Sequence, residues 1–466
     1  MKKELIIIGG GTAGYVGAIR GAQLGAKVTL IEKADIGGTC LNRGCIPTKA
    51  LLKNAEILNT LSHIDDFGIS VSDYTIDFAK IMARKDQVVN QLVRGVEQLL
   101  RDYGVEVIQG EASFVSSSKL RVKTSQGEID LESEQIVIAT GSVPTRPEIP
   151  GIDLDKVITS DELLELKELP KSLAIAGSGV IGIEFASIFN AMGTEVTVIS
   201  STLLKRIDTE IQKRLSPILK RQGLTILKDT RVKAVAKAKD GLSITVFDKK
   251  KEKETILEAE YLLMATGRRP YYDNLALEKA GVAYTSKGIT VNERFETNVP
   301  GILAVGDAIG GLMLAHVASH EAIDAVEGLL GHSPSTNFDV VPDCVFIEPE
   351  IAYVGMTEEM AVEKGIPFTS SKFLFAANGK SLSMGNTDGF IKVVAHEETK
   401  KILGVHIMGP HASDIVHEAA LAINNDLDVK AIAHTIHAHP TLSEAFMEAV
   451  NGITETSIHM SPKKKK

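Results

Sequence analysis

The sequence predicts an α/β fold, because one strand–turn–helix–strand pattern occurs twice and a region of different texture comes after it. The first copy runs from Leu5 to Glu32, and the second runs from Leu173 to Ser200. In each copy a short apolar strand leads through a glycine turn into a helix, and a second apolar strand comes next. From about Val340 the chain changes to shorter alternating strands and Ala-rich helices, which predicts a separate C-terminal α+β domain.

The two glycine turns share the spacing Gly-x-Gly-x-x-Gly. Glycines at these positions let a pyrophosphate approach the backbone amides at the start of the following helix. One such motif is weak evidence, but two in the same strand–turn–helix setting predict two Rossmann-like dinucleotide-binding domains. The glycines concerned are Gly9, Gly11, Gly14, Gly177, Gly179 and Gly182.

Further apolar strands indicate where each nucleotide-binding lobe ends. Residues 136–141 and 262–267 both end in Ala-Thr-Gly, and each would close one nucleotide-binding lobe. The prolines within residues 144–150, followed by Gly151, indicate a crossover into the second lobe. A third strand, beginning at Ile302, delivers the carboxylate of Asp307 at its end.

In a Rossmann-like domain, the residue at the end of the second strand contacts the adenosine ribose. Glu32 has the position of the acidic residue that hydrogen-bonds a ribose hydroxyl. The equivalent residue of the second copy is Ser200, so that site lacks the carboxylate that favours NAD. Lys205 and Arg206 lie nearby and would suit NADP, although they also fit ordinary surface charges. We expect NAD, since Gly182 permits the close helix approach usual in NAD sites, and NADP stays open.

The chain has three cysteines, and Cys40 and Cys45 lie close together beside glycines. Such a pair suits reversible dithiol/disulfide chemistry better than structural stapling. On a regular helix residues five apart have Cα atoms about 8.7 Å apart, whereas a disulfide needs roughly 4.4–6.8 Å. We therefore expect a distorted helical turn, with Gly44 as the residue best able to bend. A helix start would also lower the pKa of a thiol, and Lys49 lies on the same segment. Cys344 is expected to be structural.

A histidine near the C-terminus is the candidate general base. His439 is followed by Pro440, which enforces a turn, and by Glu444, which can fold back onto the ring. A carboxylate that holds one imidazole nitrogen fixes the tautomer and leaves the other nitrogen to accept a proton. Oxidation of a dithiol needs such a proton acceptor.

Composition excludes several classes of protein. The length of 466 residues and the 44% apolar content indicate two to four globular domains. A net charge of −9 argues against a nucleic-acid partner. No apolar run approaches the length of about 20 residues that a membrane span needs, and the first one is too short for a secretory signal. We expect a cytoplasmic protein without a metal site, and a frayed basic tail at residues 463–466.

Together these motifs resemble the disulfide-type flavoprotein reductases, the class I pyridine nucleotide-disulfide oxidoreductases. The resemblance rests on residues 9–14, 38–49, 177–182, 306–307 and 439–441 and covers essentially the whole chain. Within that family, residues 387–390 and 437–446 are similar to those of the members that act on dihydrolipoamide. The resemblance implies FAD and NAD as cofactors, a FAD domain at 1–149 and 271–338, a NAD domain at 150–270, and a C-terminal dimerisation domain at 339–466.

The same resemblance assigns roles to residues. It implies a homodimer in which His439 and Glu444 serve the partner's active site. Cys40 would exchange with dihydrolipoamide, and Cys45 would face the flavin. The residues expected to contact FAD or NAD are Gly9, Gly11, Gly14, Glu32, Lys33, Gly38, Thr39, Lys49, Ala112, Thr140, Gly141, Ser142, Gly177, Ser178, Gly179, Val180, Ile181, Gly182, Glu184, Ser200, Val232, Gly267, Asp307 and Ala315.

The predicted function is FAD-dependent oxidation of dihydrolipoamide with hydride transfer to NAD⁺, through a redox-active Cys40–Cys45 disulfide. The protein would be the dehydrogenase component of 2-oxo acid dehydrogenase complexes, with dihydrolipoamide on the lipoyl domain of an acyltransferase component as its partner. The alternatives are a glutathione-reductase-like enzyme and a non-catalytic subunit of a complex. Mercury reduction is disfavoured, because the C-terminus has no cysteine pair.

Overall fold

The computed structural model describes residues 4–461. The basic tail at residues 463–466 lies outside them. Within the described part of the chain, no helix is both long and apolar enough to cross a lipid bilayer.

The first repeat is built on a five-stranded parallel sheet. Its central strands are apolar and buried, as expected where helices cover a parallel sheet. From edge to edge the strands are Ile302–Ala304, Ile136–Ile138, Glu4–Ile8, Lys27–Glu32 and Glu106–Gln109. A three-stranded antiparallel sheet, Glu111–Ser116, Lys119–Thr124 and Gly127–Glu132, belongs to the same unit. Its helices are Thr12–Gln23, Gly38–Arg43, Cys45–Ser62, Phe78–Asp102 and Ala315–Leu329.

The second repeat has the same strand order as the first except at one edge. Its edge strand, Val157–Ile158, precedes the glycine turn in the chain, whereas the corresponding strand of the first repeat, Ile302–Ala304, follows it. Its parallel strands are, from edge to edge, Val157–Ile158, Tyr261–Met264, Ser172–Ala176, Glu195–Ile199 and Thr225–Leu227. The accompanying antiparallel sheet consists of Thr230–Lys237, Leu242–Asp248 and Lys253–Ala259. The helices are Ser160–Leu163, Val180–Ala191 and Thr209–Arg221.

The third glycine of each turn explains why the repeat needs this motif. A Cβ at Gly14 would lie 1.7 Å from the Gly9 carbonyl oxygen, and one at Gly182 would lie 2.4 Å from that of Gly177. Any side chain there would push the helix off its strand. The glycine motif is therefore required by packing as well as by a ligand.

The two repeats are joined by short antiparallel strands, Ser142–Pro144 and Arg268–Pro270. Each comes directly after an Ala-Thr-Gly segment. The strands predicted at 136–141 and 262–267 end earlier, at Ile138 and Met264. The chain leaves each sheet there, and Gly141 and Gly267 have positive φ angles of 73° and 128°.

From Asp343 onward the chain forms a five-stranded antiparallel sheet with helices, so the α+β region predicted after Val340 is confirmed. In sheet order the strands are Asp343–Val345, Glu350–Gly355, Ile402–Gly409, Phe390–His396 and Phe368–Leu374. The helices are Glu358–Glu363, Gly379–Met384, Ala412–Asn424, Val429–Ala433 and Glu444–Asn451. The domain boundaries given above stay predictions.

Candidate active site

A cavity of about 1700 Å³ is lined by residues of both repeats and of the C-terminal unit. The helix Cys45–Ser62 of the first repeat packs against the helix Val180–Ala191 of the second, next to this cavity. A smaller groove of about 820 Å³ between Leu154 and Glu260 holds none of the predicted site residues. The predicted residues on the cavity wall are Gly9, Gly11, Glu32, Lys33, Gly38, Thr39, Cys40, Cys45, Lys49, Ala112, Thr140, Gly141, Ser142, Gly179, Val180, Ile181, Glu184, Gly267, Asp307 and Ala315.

The first glycine turn presents an uncapped helix start to the cavity. The helix Thr12–Gln23 begins after Gly11, and within residues 4–461 no side chain caps it. Its first amides are therefore available to an anionic ligand. Gly9 has φ 104°, and a Cβ there would lie 2.3 Å from the Ala139 carbonyl oxygen, which leaves room only for glycine.

Glu32 lies at the end of the neighbouring strand with its carboxylate fixed. It accepts hydrogen bonds from the Gly10 and Ala34 backbone amides, both at 2.6 Å. The Lys33 ammonium lies 3.8 Å from the centre of the Tyr271 ring. These contacts hold an acceptor for a ribose hydroxyl at the cavity wall.

The cysteine segment is broken as predicted. The helix Gly38–Arg43 ends before Gly44, whose φ and ψ of −143° and −113° are not helical, and the next helix begins at Cys45. A Cβ at Gly44 would lie 2.8 Å from the Thr39 carbonyl oxygen. Cys45 thus occupies the first position of an 18-residue helix, where a thiolate is stabilised.

The structure holds the two cysteines as free thiols in hydrogen-bond contact. The hydrogen bond from Cys40 lowers the pKa of Cys45 to about 7, and the positive charge of Lys49 contributes. The same hydrogen bond, together with burial, raises the pKa of Cys40. When the reduced pair loses one proton, the negative charge therefore lies on Cys45 and the remaining proton on Cys40.

Lys49 and Glu184 form an ion pair that spans the two repeats. The Lys49 ammonium lies 2.9 and 3.0 Å from the two Glu184 carboxylate oxygens and 4.2 Å from the centre of the Phe346 ring. Glu184 also accepts a hydrogen bond from the Phe346 amide at 3.0 Å. Burial raises the pKa of Glu184, whereas Lys49 opposes that change. The pair joins three parts of the fold beside Cys45.

A second polar group surrounds Asp307 and includes residues that sequence reasoning missed. Ser142 donates to the Asp307 carboxylate, and the Arg268 guanidinium donates to the Ser142 hydroxyl at 2.8 Å and to its carbonyl at 2.7 Å. The Glu321 carboxylate accepts from the Gly306 amide at 2.6 Å, and burial raises its pKa to about 7. In the sequence, Arg268 was indicated as a site residue only by its position directly after Gly267, which was predicted to contact a cofactor.

The second glycine turn has the same backbone but a different end to its second strand. The helix Val180–Ala191 begins after Gly179 without a side-chain cap within the described residues. The Ser178 and Ser200 hydroxyls are in contact, and Ser178 also donates to the Thr202 carbonyl at 2.8 Å. Lys205 and Arg206 line the cavity together with Gly179.

Only one of the two neighbouring histidines has a free ring edge. His439 Nδ1 lies 2.9 Å from a Glu444 oxygen, and the other Glu444 oxygen accepts from the Thr441 amide at 2.7 Å. No described residue bonds its Nε2. Burial acts to raise the pKa of Glu444, but the Thr441 and His439 hydrogen bonds lower it overall. His437 bonds through both nitrogens, to Thr435 and Glu418.

Several predicted residues lie off the cavity wall. Gly14, Gly177, Ser178, Gly182 and Ser200 lie in or directly behind the glycine turns. Val232 packs against the core of the second repeat, so its cofactor contact stays a prediction. His439 and Glu444 lie in the C-terminal unit, and the side chain of His439 is 78% exposed. Cys344 lies at the cavity with its pKa raised to about 12 by burial.

Comparisons with known proteins cover nearly the whole chain. Residues 3–322 match the family described as pyridine nucleotide-disulphide oxidoreductase, and residues 341–450 match its dimerisation domain. The dihydrolipoyl dehydrogenases of pea mitochondria and of Chlamydia trachomatis are 42% and 40% identical, over 98% and 99% of this chain and 93% and 99% of their own lengths. The HOCl-induced flavoprotein disulfide reductase RclA of Escherichia coli superimposes with a TM-score of 0.86 at 32% identity, over 96% of this chain and 99% of its own.

Proposed function

Because the chain belongs to the pyridine nucleotide-disulphide oxidoreductase family, we propose that it oxidises dihydrolipoamide to lipoamide, with FAD bound in the first repeat and NAD⁺ as hydride acceptor. The observation that carries this proposal is the cysteine pair. A thiol on Cys40 and a low-pKa thiol on Cys45 lie beside Lys49, in a cavity that reaches both glycine turns.

The residues of the first repeat fit FAD. The glycine cradle at Gly9 and Gly11 and the uncapped helix start suit a pyrophosphate, and Glu32 suits the ribose. Asp307 and Lys49 would hold the remainder of the group near Cys45. When bound, FAD accepts an electron pair from a dithiol and passes a hydride to nicotinamide.

The chain's own residues account for the thiol chemistry. His439 Nε2 takes the proton of one substrate thiol, and Glu444 holds the opposite nitrogen in place. The substrate thiolate attacks Cys40 in the Cys40–Cys45 disulfide, which forms a mixed disulfide and releases Cys45 as a thiolate.

The second substrate thiolate then attacks the substrate sulfur of the mixed disulfide, which closes lipoamide and frees Cys40. Cys40 takes a proton, and the substrate's other proton passes to solvent. The substrate has lost two electrons and two protons, and the two cysteines hold the electrons. Lys49 and the helix start stabilise the Cys45 thiolate.

We expect the base to act across the homodimer. The family's dimerisation domain matches the C-terminal unit, and His439 is exposed there with a free ring edge. We infer that His439 and Glu444 of one subunit serve the cysteine pair of the other.

The substrate's carrier is a finer proposal. A lipoyl domain of an acyltransferase component would present dihydrolipoamide, as in 2-oxo acid dehydrogenase complexes. The name of the relatives, dihydrolipoyl dehydrogenase, supports the dihydrolipoyl group as the substrate, and its carrier stays a prediction. A location in the cytoplasm stays a prediction.

The test compares dithiol and disulfide substrates on the purified flavoprotein. Dihydrolipoamide with NAD⁺ should give NADH at a rate that far exceeds the reduction of glutathione disulfide by NADH or NADPH. Faster turnover on glutathione disulfide would support the glutathione-reductase-like alternative. If dihydrolipoamide cannot reduce the flavin of the purified protein, the result would support the non-catalytic alternative.

A further inference from the structure

We infer that the second nucleotide site accepts a 2′-phosphorylated nicotinamide dinucleotide, NADP, as well as NAD. The inference rests on the proposed function only in taking the second repeat as the nicotinamide nucleotide site. It concerns Ser200 at the end of the second strand, Lys205 and Arg206 in the loop after it, and Ser178 of the glycine turn.

The ribose position of this site is neutral. Ser200 stands where the first repeat has Glu32, at the end of the strand Glu195–Ile199. Its hydroxyl is buried against the hydroxyl of Ser178. A carboxylate at this position binds the ribose hydroxyls and repels a 2′-phosphate, whereas Ser200, whose hydroxyl bonds Ser178 and the Thr202 carbonyl, carries no charge that would repel one.

Two cations are placed next to this position by the backbone. The Leu204 amide donates to the Ser178 carbonyl at 3.0 Å, so the loop after Ser200 folds back onto the glycine turn. Lys205 and Arg206 come directly after Leu204, and both line the cavity with Gly179. Both are exposed, and neither forms an ion pair within the described residues 4–461. Their charge is therefore available to a phosphate.

The loop that carries these cations is anchored at its far end. Asp208 is fully buried and caps the helix Thr209–Arg221 through the Glu210 amide at 2.9 Å. It also binds the Lys392 ammonium of the C-terminal unit at 2.9 Å. The cations thus extend from a fixed segment, which limits the entropy lost when they bind a phosphate.

Gly182 does not argue against this inference. The space that a Cβ would take there meets the Gly177 carbonyl and the Ala265 side chain. Gly14 packs on Gly9 in the same way in the first repeat. The third glycine therefore serves the packing of helix on strand, and the ribose substituent is set by the residues after the second strand.

The test is calorimetric titration of the oxidised flavoprotein with NAD⁺ and with NADP⁺, in the absence of dithiol. We expect the two dissociation constants to lie within about tenfold of each other, because no carboxylate opposes the phosphate and two cations attract it. Added salt should weaken NADP⁺ binding more than NAD⁺ binding.

Variants assign the effect to residues. Ser200→Glu should weaken NADP⁺ binding by at least about tenfold and tighten NAD⁺ binding. Lys205→Gln and Arg206→Gln should each weaken NADP⁺ binding by a larger factor than NAD⁺ binding. Lys239→Gln, an exposed lysine of the same repeat on the smaller groove, is the matched control and should change neither.

Failure of the inference has a clear signature. No NADP⁺ binding at a concentration about a hundred times the NAD⁺ dissociation constant would overturn it, as would a Ser200→Glu variant with an unchanged preference. If that variant does not fold, the two glutamine variants decide the question. These results are independent of dihydrolipoamide oxidation with NAD⁺, so the proposed function can stand when this inference fails, and the reverse also holds.

Discussion

The two nucleotide-binding repeats share a backbone and differ in the segment that comes after their second strand. Both have the same order of central strands, and both glycine turns lead into a 12-residue helix. The second strand of the first repeat ends at Glu32 and leads to the cysteine pair. The second strand of the second repeat leads to Ser200 and a loop with two cations. The glycines and apolar strands therefore determine the fold, and the segment after the second strand determines the chemistry.

The same comparison explains why only the first repeat brings two thiols together within the described residues. The segment after Glu32 breaks at Gly44, so that Cys45 starts a helix and meets Cys40. The segment after Ser200 instead bends back onto its own glycine turn through Leu204. One site thus brings a thiol pair to the cavity, and the other brings charges for a nucleotide.

The largest effect is expected from removing the thiol pair of the first repeat. Cys45→Ser leaves no disulfide to accept electrons, so oxidation of dihydrolipoamide should be abolished in an NADH-formation assay. Cys344→Ala is the control, since Cys344 lies outside the Cys40–Cys45 pair. Turnover by Cys45→Ser that approaches that of the unaltered protein would contradict the assigned role.

The next largest effect is expected at the base. His439→Gln should lower the rate of dihydrolipoamide oxidation by about 10²–10⁴-fold, which is the contribution of a positioned proton acceptor. His63→Gln, at the exposed end of the cysteine helix, is the matched control. Mixing His439→Gln with Cys45→Ser subunits should restore activity in heterodimers if the base acts across the dimer. Absence of rescue would place the base in its own subunit.

A third prediction replaces Glu32 of the first repeat by serine, the residue at the equivalent position of the second repeat. Glu32→Ser leaves the Gly10 and Ala34 amides without their carboxylate partner. The variant also removes the charged acceptor for the ribose hydroxyl, and a hydrogen bond to a charged group contributes about 1.5–3 kcal/mol, so FAD retention should weaken by about 10- to 150-fold. The amount of flavin released during dialysis measures this loss of FAD retention. Unaltered retention would show that the carboxylate does not support the site.

The smallest effect is a change in the pH dependence of thiol reactivity. The pKa of Cys45 is about 7, so alkylation of the reduced protein by iodoacetamide should accelerate as pH rises through that value. Lys49 lowers this pKa and Glu184 raises it. Lys49→Met should therefore move the profile to higher pH, and Glu184→Gln should move it to lower pH. Shifts in the same direction would contradict the electrostatic account.

Local patterns in the sequence predicted the repeats and the break in the cysteine helix. The glycine turns are visible because spacing alone defines them, and the break at Gly44 was predicted from the Cα distance that a Cys40–Cys45 disulfide would need. The contacts of Lys49 with Glu184 and Phe346 were not visible, because they join residues more than a hundred positions apart. Spacing also cannot show that His437 bonds through both nitrogens, which leaves His439 as the ring with a free edge.

The most direct test of the central claim is thiol trapping before and after reduction by dihydrolipoamide, without nucleotide. The oxidised protein is treated with N-ethylmaleimide under denaturing conditions, and labelled cysteines are identified by mass spectrometry. We expect only Cys344 to be labelled before reduction, and Cys40 and Cys45 to be labelled as well after it. Flavin reduction without new labelling of those two cysteines would contradict electron transfer through the pair.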